Sequence, residues 1–307
     1  MKNESFNHFL REKGVSNNVR SLLYHIARSI KYINFSLRAG NTGKADSENC
    51  QGEEQLALDV MADLIIQDEL KKSELVANCI SEEIEEAMKF KAPRGEYTVA
   101  YDPLDGSSLV DANLAIGSIF GIWKGSELVG RTGREQVAAC YAIYGPRVTF
   151  VIAIKDGGTH EFELNDVGEF ILAAENLSVA ETSKYFAPGN QRATIENKKY
   201  MSLVQNYMLA GRTLRYSGGM VPDLHHMLKK GQGVFCYPGD AKHVNGKLRL
   251  AFECAPFAFI FDEAGGLAHE GNGNLILDKK ITDIHERTTI FIGSKQEVKN
   301  ATNFLNE

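Results

Sequence analysis

The stretch YTVAYDPLDGSSLVDANLAIGSIFGIW (residues 97–123) decides how the chain is read. Residues 97–101 are β-branched or aromatic, a strand composition, while Asp-Pro and Asp-Gly are turn punctuation. The expectation is a strand, an acidic Gly/Ser turn over 102–108, and a second strand from Leu114. Two carboxylates, Asp102 and Asp105, and two hydroxyls, Ser107 and Ser108, then meet where a buried strand stops. Pro103 fixes one φ, and Gly106 lets backbone come close to a ligand. Successive amides after Gly106, where they converge, form an anion-binding concavity beside a cation-binding pair. That pairing suits phosphate-ester hydrolysis. The plainer alternative is a solvated turn, since DxxDG is common in turns. An EF-hand loop is excluded: counted from Asp102, position 6 is Ser107 rather than Gly and position 12 is Asn113 rather than Glu.

Working outward, residues 16–38 carry Val19, Leu22, Leu23, Ile26, Ile30 and Ile33 at helical spacing. A polar loop follows, and then a helix over 53–71 with Leu56, Val60 and Leu64 as its expected buried stripe and Asp59 beside it. Residues 75–80 read as a buried strand ending in Ser81-Glu82-Glu83. Those acidic residues equally suit the start of a helix over the following IEEAMKF. Residues 136–144 read as helix or strand, and 147–173 as antiparallel strands separated by Gly/Asp turns. A polar connector near 180–192 places the domain boundary, giving residues 1–180 and 181–307. The second half alternates: helix 195–208, strand 212–216, helix 222–229, strand 233–237, an apolar helical block 248–264, strand 288–292 and a terminal helix from Lys295. Within the apolar block LRLAFECAPFAFIF, Glu253 is costly unless it is paired or metal-bound.

Composition narrows the field. The 307 residues are 43% hydrophobic and 24% charged, as in ordinary globular proteins, and suit two domains or one large two-lobed one. With 34 basic and 40 acidic residues the formal net charge is −6, which points away from nucleic acid and acidic membrane surfaces. A phosphorylated substrate therefore needs a local positive site. No secretion-type or membrane-spanning apolar run is read, so the cytoplasm is expected. Five dispersed cysteines, without CxxC, fit reduced thiols rather than a zinc site or disulfides. Adjacent His225 and His226 are expected at the surface rather than as ligands. Asp59, Glu82, Glu83, Asp102, Asp105 and Glu253 remain, from four segments. Six clustered carboxylates cannot all stay ionised without cations, and all-oxygen sites suit Mg²⁺ or Mn²⁺.

At these residues the chain resembles the class 1 fructose-1,6-bisphosphatase family. The matching pieces are GEEQLALDV (52–60), SEE (81–83), DPLDGSS (102–108), GNQRA (189–193), RYSGGMVPD (215–223) and GKLRLAFE (246–253), in the family's order. GNQRA and TGREQVAA (132–139) look closer to its sedoheptulose-1,7-bisphosphatase branch, or to bacterial enzymes of mixed type. The resemblance implies a mixed α/β (α+β) fold, the layered αβαβα sugar-phosphatase arrangement of two αβ lobes. Its N-terminal domain would be metal-binding and regulatory, its C-terminal domain sugar-phosphate-binding. It further implies that Glu82, Glu83, Asp102, Asp105, Glu253 and the Leu104 carbonyl ligate about two or three Mg²⁺ ions per subunit. Asp105, Gly106, Ser107 and Ser108 would hold the 1-phosphate, and Asp59, with the SEE pair, would activate water. Asn190, Arg192, Tyr216, Met220, Tyr237 and Lys247 would hold the sugar and distal phosphate. Arg215 would reach a neighbouring subunit's site in a homodimer or homotetramer.

Departures qualify the resemblance. Glu53 stands where animal members have Asp, in a region that gates metal binding. Ala193 replaces a Tyr, which would open the sugar pocket to a seven-carbon sugar with Arg192 taking over a phosphate contact. Ser16, Asn18 and Glu96 replace the residues of the AMP site, and Glu96 puts a negative charge where a nucleotide phosphate would sit. The implied activity is cleavage of the 1-phosphate of fructose 1,6-bisphosphate or sedoheptulose 1,7-bisphosphate. The alternatives are an inositol-phosphate or nucleotide phosphatase of the wider superfamily, and a catalytically silent sugar-phosphate-binding protein.

Overall fold

A computed structural model describes residues 4–39, 44–48 and 54–306. Glu53 lies outside the described residues. Two helices, α1 (Phe6–Glu12) and α2 (Asn17–Ala39), lead to a short pair, β1 (Lys44–Glu48) and β2 (Glu54–Leu56), and to α3 (Ala57–Lys72). Then come β3 (Val76–Ser81), β4 (Met88–Lys89), β5 (Tyr97–Asp105), β6 (Ile116–Lys124), β7 (Gln136–Tyr144), β8 (Val148–Ile154), β9 (Gly158–Leu164) and β10 (Phe170–Ala174). These eight form one sheet in the order β10-β9-β8-β7-β6-β5-β3-β4, antiparallel except for the parallel pair β3/β5. The chain continues through β11 (Tyr185–Pro188), α4 (Ala193–Glu196), α5 (Lys198–Leu209), β12 (Thr213–Leu214), α6 (Met220–Lys230), β13 (Val234–Tyr237), α7 (Ala255–Glu263), β14 (Leu267–His269), β15 (Ile290–Gly293) and α8 (Lys295–Asn306). Its strands form a second sheet, β12-β11-β13-β15-β14.

Three apolar cores order these elements into five layers. Leu22, Ile26 and Ile30 of α2 and Ala62 and Ile66 of α3 cover one face of the large sheet at Val99, Phe120 and Phe150. Ile119, Trp123 and Tyr141 on its other face meet Leu224 of α6, Phe257 and Phe261 of α7, and Phe235 and Ile292 of the small sheet. Tyr200 and Leu203 of α5 and Val298 of α8 cover the far side of that sheet. The expected αβαβα layering is found. All nine residues of β5 are buried because both faces of the sheet are covered.

Local departures from the sequence expectation have physical causes. Residues 84–90 form no helix, since Met88 and Lys89 pair with Cys79 and Asn78 at the sheet edge. The buried face of α3 is Leu58, Asp59, Ala62, Asp63 and Ile66, while Leu64 is 60% exposed. Residues 136–144 are strand, and β12 spans only Thr213–Leu214. Most consequentially, β5 does not turn at Asp102 but continues to Asp105. Asp102 pairs with Ile119 and Asp105 with Gly117, so β5 has one residue more than β6 over this span. That is a β-bulge. Pro103, which has no N–H to offer the ladder, sits in it, and its carbonyl accepts from the Ser118 hydroxyl at 2.7 Å.

Gly117, opposite Asp105, has no room for a side chain. A Cβ there would lie 2.4 Å from Val221 Cγ1 and 2.5 Å from the Ala142 carbonyl oxygen. Gly117→Ala is expected to destabilise the fold by about 1–3 kcal/mol, the usual cost of overpacking. It should lower activity as well, since it pushes α6 away from Asp105. Denaturant unfolding and turnover measured on one preparation check this.

Candidate active site

A cavity of about 350 Å³ opens where the C-terminal ends of β3 and β5 meet the N-terminal ends of α3 and α6. A buried π-helical turn, Leu250–Cys254, closes it and runs directly into α7. Each of these elements except α6 delivers an acid. α3 brings Asp59 in its first turn, where helix amides favour a negative charge. The residues after β3 bring Glu82 and Glu83, with the Glu82 N–H donating to the Tyr101 carbonyl at 3.1 Å and the Glu83 N–H to Ser81 Oγ at 3.2 Å. β5 brings Asp102 and Asp105, and the π-helical turn brings Glu253. All six line the cavity.

The bulge explains how Asp102 and Asp105 meet. Residues three apart on a regular strand point to opposite faces, and one extra residue restores them to the same side. Asp102, Asp105 and Glu253 each offer an oxygen within 4.8 Å of the other two, and all three are buried. The amides of Met220 and Val221, at the start of α6, donate to the Asp105 carboxylate at 3.3 and 2.7 Å. Asp102 Oδ1 accepts from the Leu104 amide at 2.9 Å, and Glu253 Oε2 from the Arg249 amide at 2.6 Å. Asp105 is therefore buried rather than on a surface turn.

Burial is the main cause that raises these carboxyl pKa values, and mutual repulsion adds to it. Asp102 stands well above its ordinary value, from desolvation and the charges of Glu82, Asp105 and Glu253. Burial pushes Asp105 up to about 7, the α6 amides opposing it. Glu253 is also pushed up to about 7 by burial, with Arg249 opposing. Only two basic side chains, Lys247 and Arg249, stand against the six acids among the described lining residues. A donor set of buried, repelling carboxylate oxygens fits hard divalent cations such as Mg²⁺ or Mn²⁺.

The cavity has further lining besides the acids. Gly106 has φ +77° and starts a short helical turn, Ser107–Leu109. Its Cα side faces the Gly219 backbone, where a Cβ would come within 3.4 Å. Leu104, Gly106, Ser107 and Ser108 line the same cavity, as do Tyr216, Met220, Tyr237 and Lys247. Asn190 and Arg192 do not line the cavity but adjoin it. The Asn190 amide donates to Tyr216, its side-chain amide donates to the Pro238 carbonyl at 2.7 Å, and Arg192 acts electrostatically on Tyr237. Ala193 is 1% exposed and borders a separate depression, so the missing ring there does not widen this cavity directly. Arg215 is exposed, over the Tyr185 ring, and is not among the lining residues.

Two contributors were missed in the sequence. Arg249, 3% exposed, pairs with Glu82 and acts on Glu253. Its position four residues before Glu253 on one helical turn was the available signal. Asp223 accepts the Ser217 amide at 2.7 Å and fixes the turn carrying Tyr216. Burial raises its pKa to about 6. The histidine pair is not at the surface as expected: His225 is half-buried, with Nδ1 2.9 Å from the Tyr141 hydroxyl.

Known proteins are similar to this chain over nearly all of it. Residues 5–175 match the family described as "Fructose-1-6-bisphosphatase, N-terminal domain" and residues 179–306 the corresponding C-terminal domain. A "Fructose-1,6-bisphosphatase class 1" of Trichlorobacter lovleyi is 43% identical over 98% of this chain and 95% of its own length. A "Sedoheptulose-1,7-bisphosphatase, chloroplastic" of Triticum aestivum is 42% identical over 96% of this chain and 75% of its own. The crystal structure of Leishmania major fructose-1,6-bisphosphatase in holo form superposes with a TM-score of 0.94, at 31% identity and covering all of both chains.

The electrostatics set a sign for pH dependence. Carboxyls whose folded pKa is raised contribute stability that is fully present below their ordinary value near 4 and lost as pH rises through about 7. A cation held by the ionised acids relieves that loss. The rise in melting temperature on adding Mg²⁺ is therefore expected to be larger at pH 8 than at pH 5.5, and to shrink in Glu253→Gln. Thermal scans at both pH values check it.

Proposed function

This chain belongs to the fructose-1,6-bisphosphatase family, and from that premise we propose that it hydrolyses the 1-phosphate of a ketose bisphosphate with divalent cations held in the acidic cavity. The enzyme is a phosphoric monoester hydrolase. Fructose 1,6-bisphosphate is the lead substrate and sedoheptulose 1,7-bisphosphate the second, carried by the likeness to both kinds of relative. The observation that carries the reading is the convergence of Asp102, Asp105 and Glu253 within 4.8 Å beside the Gly106-Ser107 turn.

Roles follow from position. Asp102, Asp105 and Glu253, with Glu82, Glu83 and the Leu104 carbonyl, would hold Mg²⁺, or Mn²⁺ in its place. Bound there, such ions would offset the charge of the phosphoryl oxygens and of the departing sugar oxygen. The amides at Gly106, Ser107 and Ser108 would orient the 1-phosphate, as helical-turn N-termini do. Asp59, with Glu83 nearby on the cavity wall, would take the proton of the attacking water. The water oxygen would then add to phosphorus as the bond to the sugar oxygen breaks, the departing oxygen taking up a proton from solvent, to leave the ketose monophosphate and inorganic phosphate. Arg249 would keep Glu82 in place. Tyr216, Met220, Tyr237 and Lys247 would hold the sugar, and Asn190 and Arg192 would support the distal phosphate. Such remote contacts supply binding energy and orientation that distinguish bisphosphates from monophosphates. Exposed Arg215 would serve a neighbouring subunit in a homodimer or homotetramer working in the cytoplasm. With the division at 1–180 and 181–307, the first part would supply most of the cation ligands and the second Glu253 and the sugar contacts, residues of both lining the cavity.

Phosphate release from both bisphosphates, with Mg²⁺ and with Mn²⁺, tests the reading. Turnover that needs a divalent cation is expected, and none on either sugar would refute it. Asp105→Ala is expected to lower kcat by at least about 10²–10³-fold, the scale for losing one group that stabilises transition-state charge. Because Asp105 is buried and bonded to α6, a loss of stability should accompany it. Arg192→Ala is expected to raise KM about fivefold while kcat changes less than about twofold, the pattern of a uniform binding contact. The opposite split would remove Arg192 from the distal-phosphate contact.

A further inference from the structure

Behind the cavity wall, and not among its lining residues, sits a second buried carboxylate, Asp63 of α3. It is 6% exposed and lies one helical turn after Asp59 on the same buried face. Three side chains converge on it. The Tyr101 hydroxyl donates to Oδ1 at 2.7 Å, Gln67 Nε2 donates to Oδ2 at 2.5 Å, and the Ser81 hydroxyl donates to the carboxylate as well. Each donor belongs to a segment that carries part of the site. Ser81 ends β3, and its Oγ also accepts the amide of Glu83. Tyr101 directly precedes Asp102 on β5, has no exposed surface, and stacks on Phe120 with ring centroids 6.0 Å apart. Its hydroxyl in turn accepts from Cys79 Sγ at 3.5 Å.

We infer that Asp63 is a positioning residue that locks α3, β3 and β5 in register, fixing Asp59, Glu83 and Asp102 relative to one another. This rests on the proposed function, because it assigns Asp63 a part in placing the acids of that reaction. The need for such a lock follows from the charges. Asp59, Glu83 and Asp102 line one cavity with other acids, and repulsion between them works to separate the elements that carry them. An apolar contact resists that separation only weakly in direction, since it has no preferred angle. A carboxylate accepting from two other strands holds all three elements at defined distances. The bonds lie where solvent does not compete for them, and a buried acceptor left unmatched is costly. Partners behind the ligands commonly matter to cation affinity in this way.

The experiment compares Asp63→Ala, Asp63→Asn and Tyr101→Phe with the unsubstituted enzyme. Readouts are Mn²⁺ affinity by calorimetry in the absence of substrate, kcat and KM for fructose 1,6-bisphosphate, and melting temperature. Asp63→Ala is expected to weaken Mn²⁺ binding and lower kcat about tenfold or more, with KM changed less than about twofold. Asp63→Asn, which keeps an acceptor oxygen and the side chain's shape, should recover most of both. Tyr101→Phe, which removes one hydroxyl and keeps the ring, should fall between, and it carries the test if Asp63→Ala does not fold. A lower melting temperature with Mn²⁺ affinity and kcat unchanged, in either Asp63→Ala or Tyr101→Phe, would make the role merely structural and overturn the inference. If the unsubstituted enzyme shows no cation-dependent turnover, the proposed function falls, and this inference with it.

Discussion

Everything in this molecule is arranged around the repulsion between three buried carboxylates. Asp102, Asp105 and Glu253 share a space small enough for one cation to touch all of them, away from water that would screen their charges. Removing a single carboxylate from water costs several kcal/mol, and proximity between like charges adds to that. The fold keeps them there by dividing the load. Two amides of α6 hold Asp105, one local amide each holds Asp102 and Glu253, and Arg249 stands against Glu82. The remaining mismatch would favour uptake of a cation. Affinity for such an ion and strain without it would then have one physical origin.

The five layers supply the rigidity this requires. The large sheet is covered on both faces, so β5 and β6 cannot flex apart without exposing Val99, Ile119 and Phe120. At the same time the site sits at strand ends and helix starts, where backbone groups are not used up by the ladder. α6 connects the two halves of the task. Its first amides bind Asp105, and the turn before it, fixed by Asp223, presents Tyr216 to the cavity. A displacement of that helix would move the surroundings of Asp105 and Tyr216 together.

The sequence revealed the participants more readily than their arrangement. Carboxylates at element ends, and Glu253 inside an apolar run, announced themselves because burying an acid is expensive without a reason. The Asp102–Asp105 geometry was hidden, since spacing of three residues on a strand implies opposite faces and nothing local marks the bulge except Pro103. The buried face of α3 was misread because Asp59, Asp63 and Glu69 lie on it and dilute the apolar signal, while Leu64 faces outward. Residues 84–90 looked helical, but edge pairing with β3 overrode local preference. Arg249 is legible only through its four-residue spacing to Glu253, the ordinary sign of a helical pair. Asn190, Arg192 and Arg215 are legible by resemblance alone, for their placement depends on contacts no local pattern encodes.

The central claim is that these distant acids trap divalent ions together. Anomalous diffraction from crystals grown with Mn²⁺ tests it most directly. The account predicts manganese peaks in the cavity within about 2.0–2.3 Å of oxygens from Asp102, Asp105 and Glu253. Crystals saturated with Mn²⁺ that show peaks only at exposed carboxylates, with the cavity holding water alone, would contradict it.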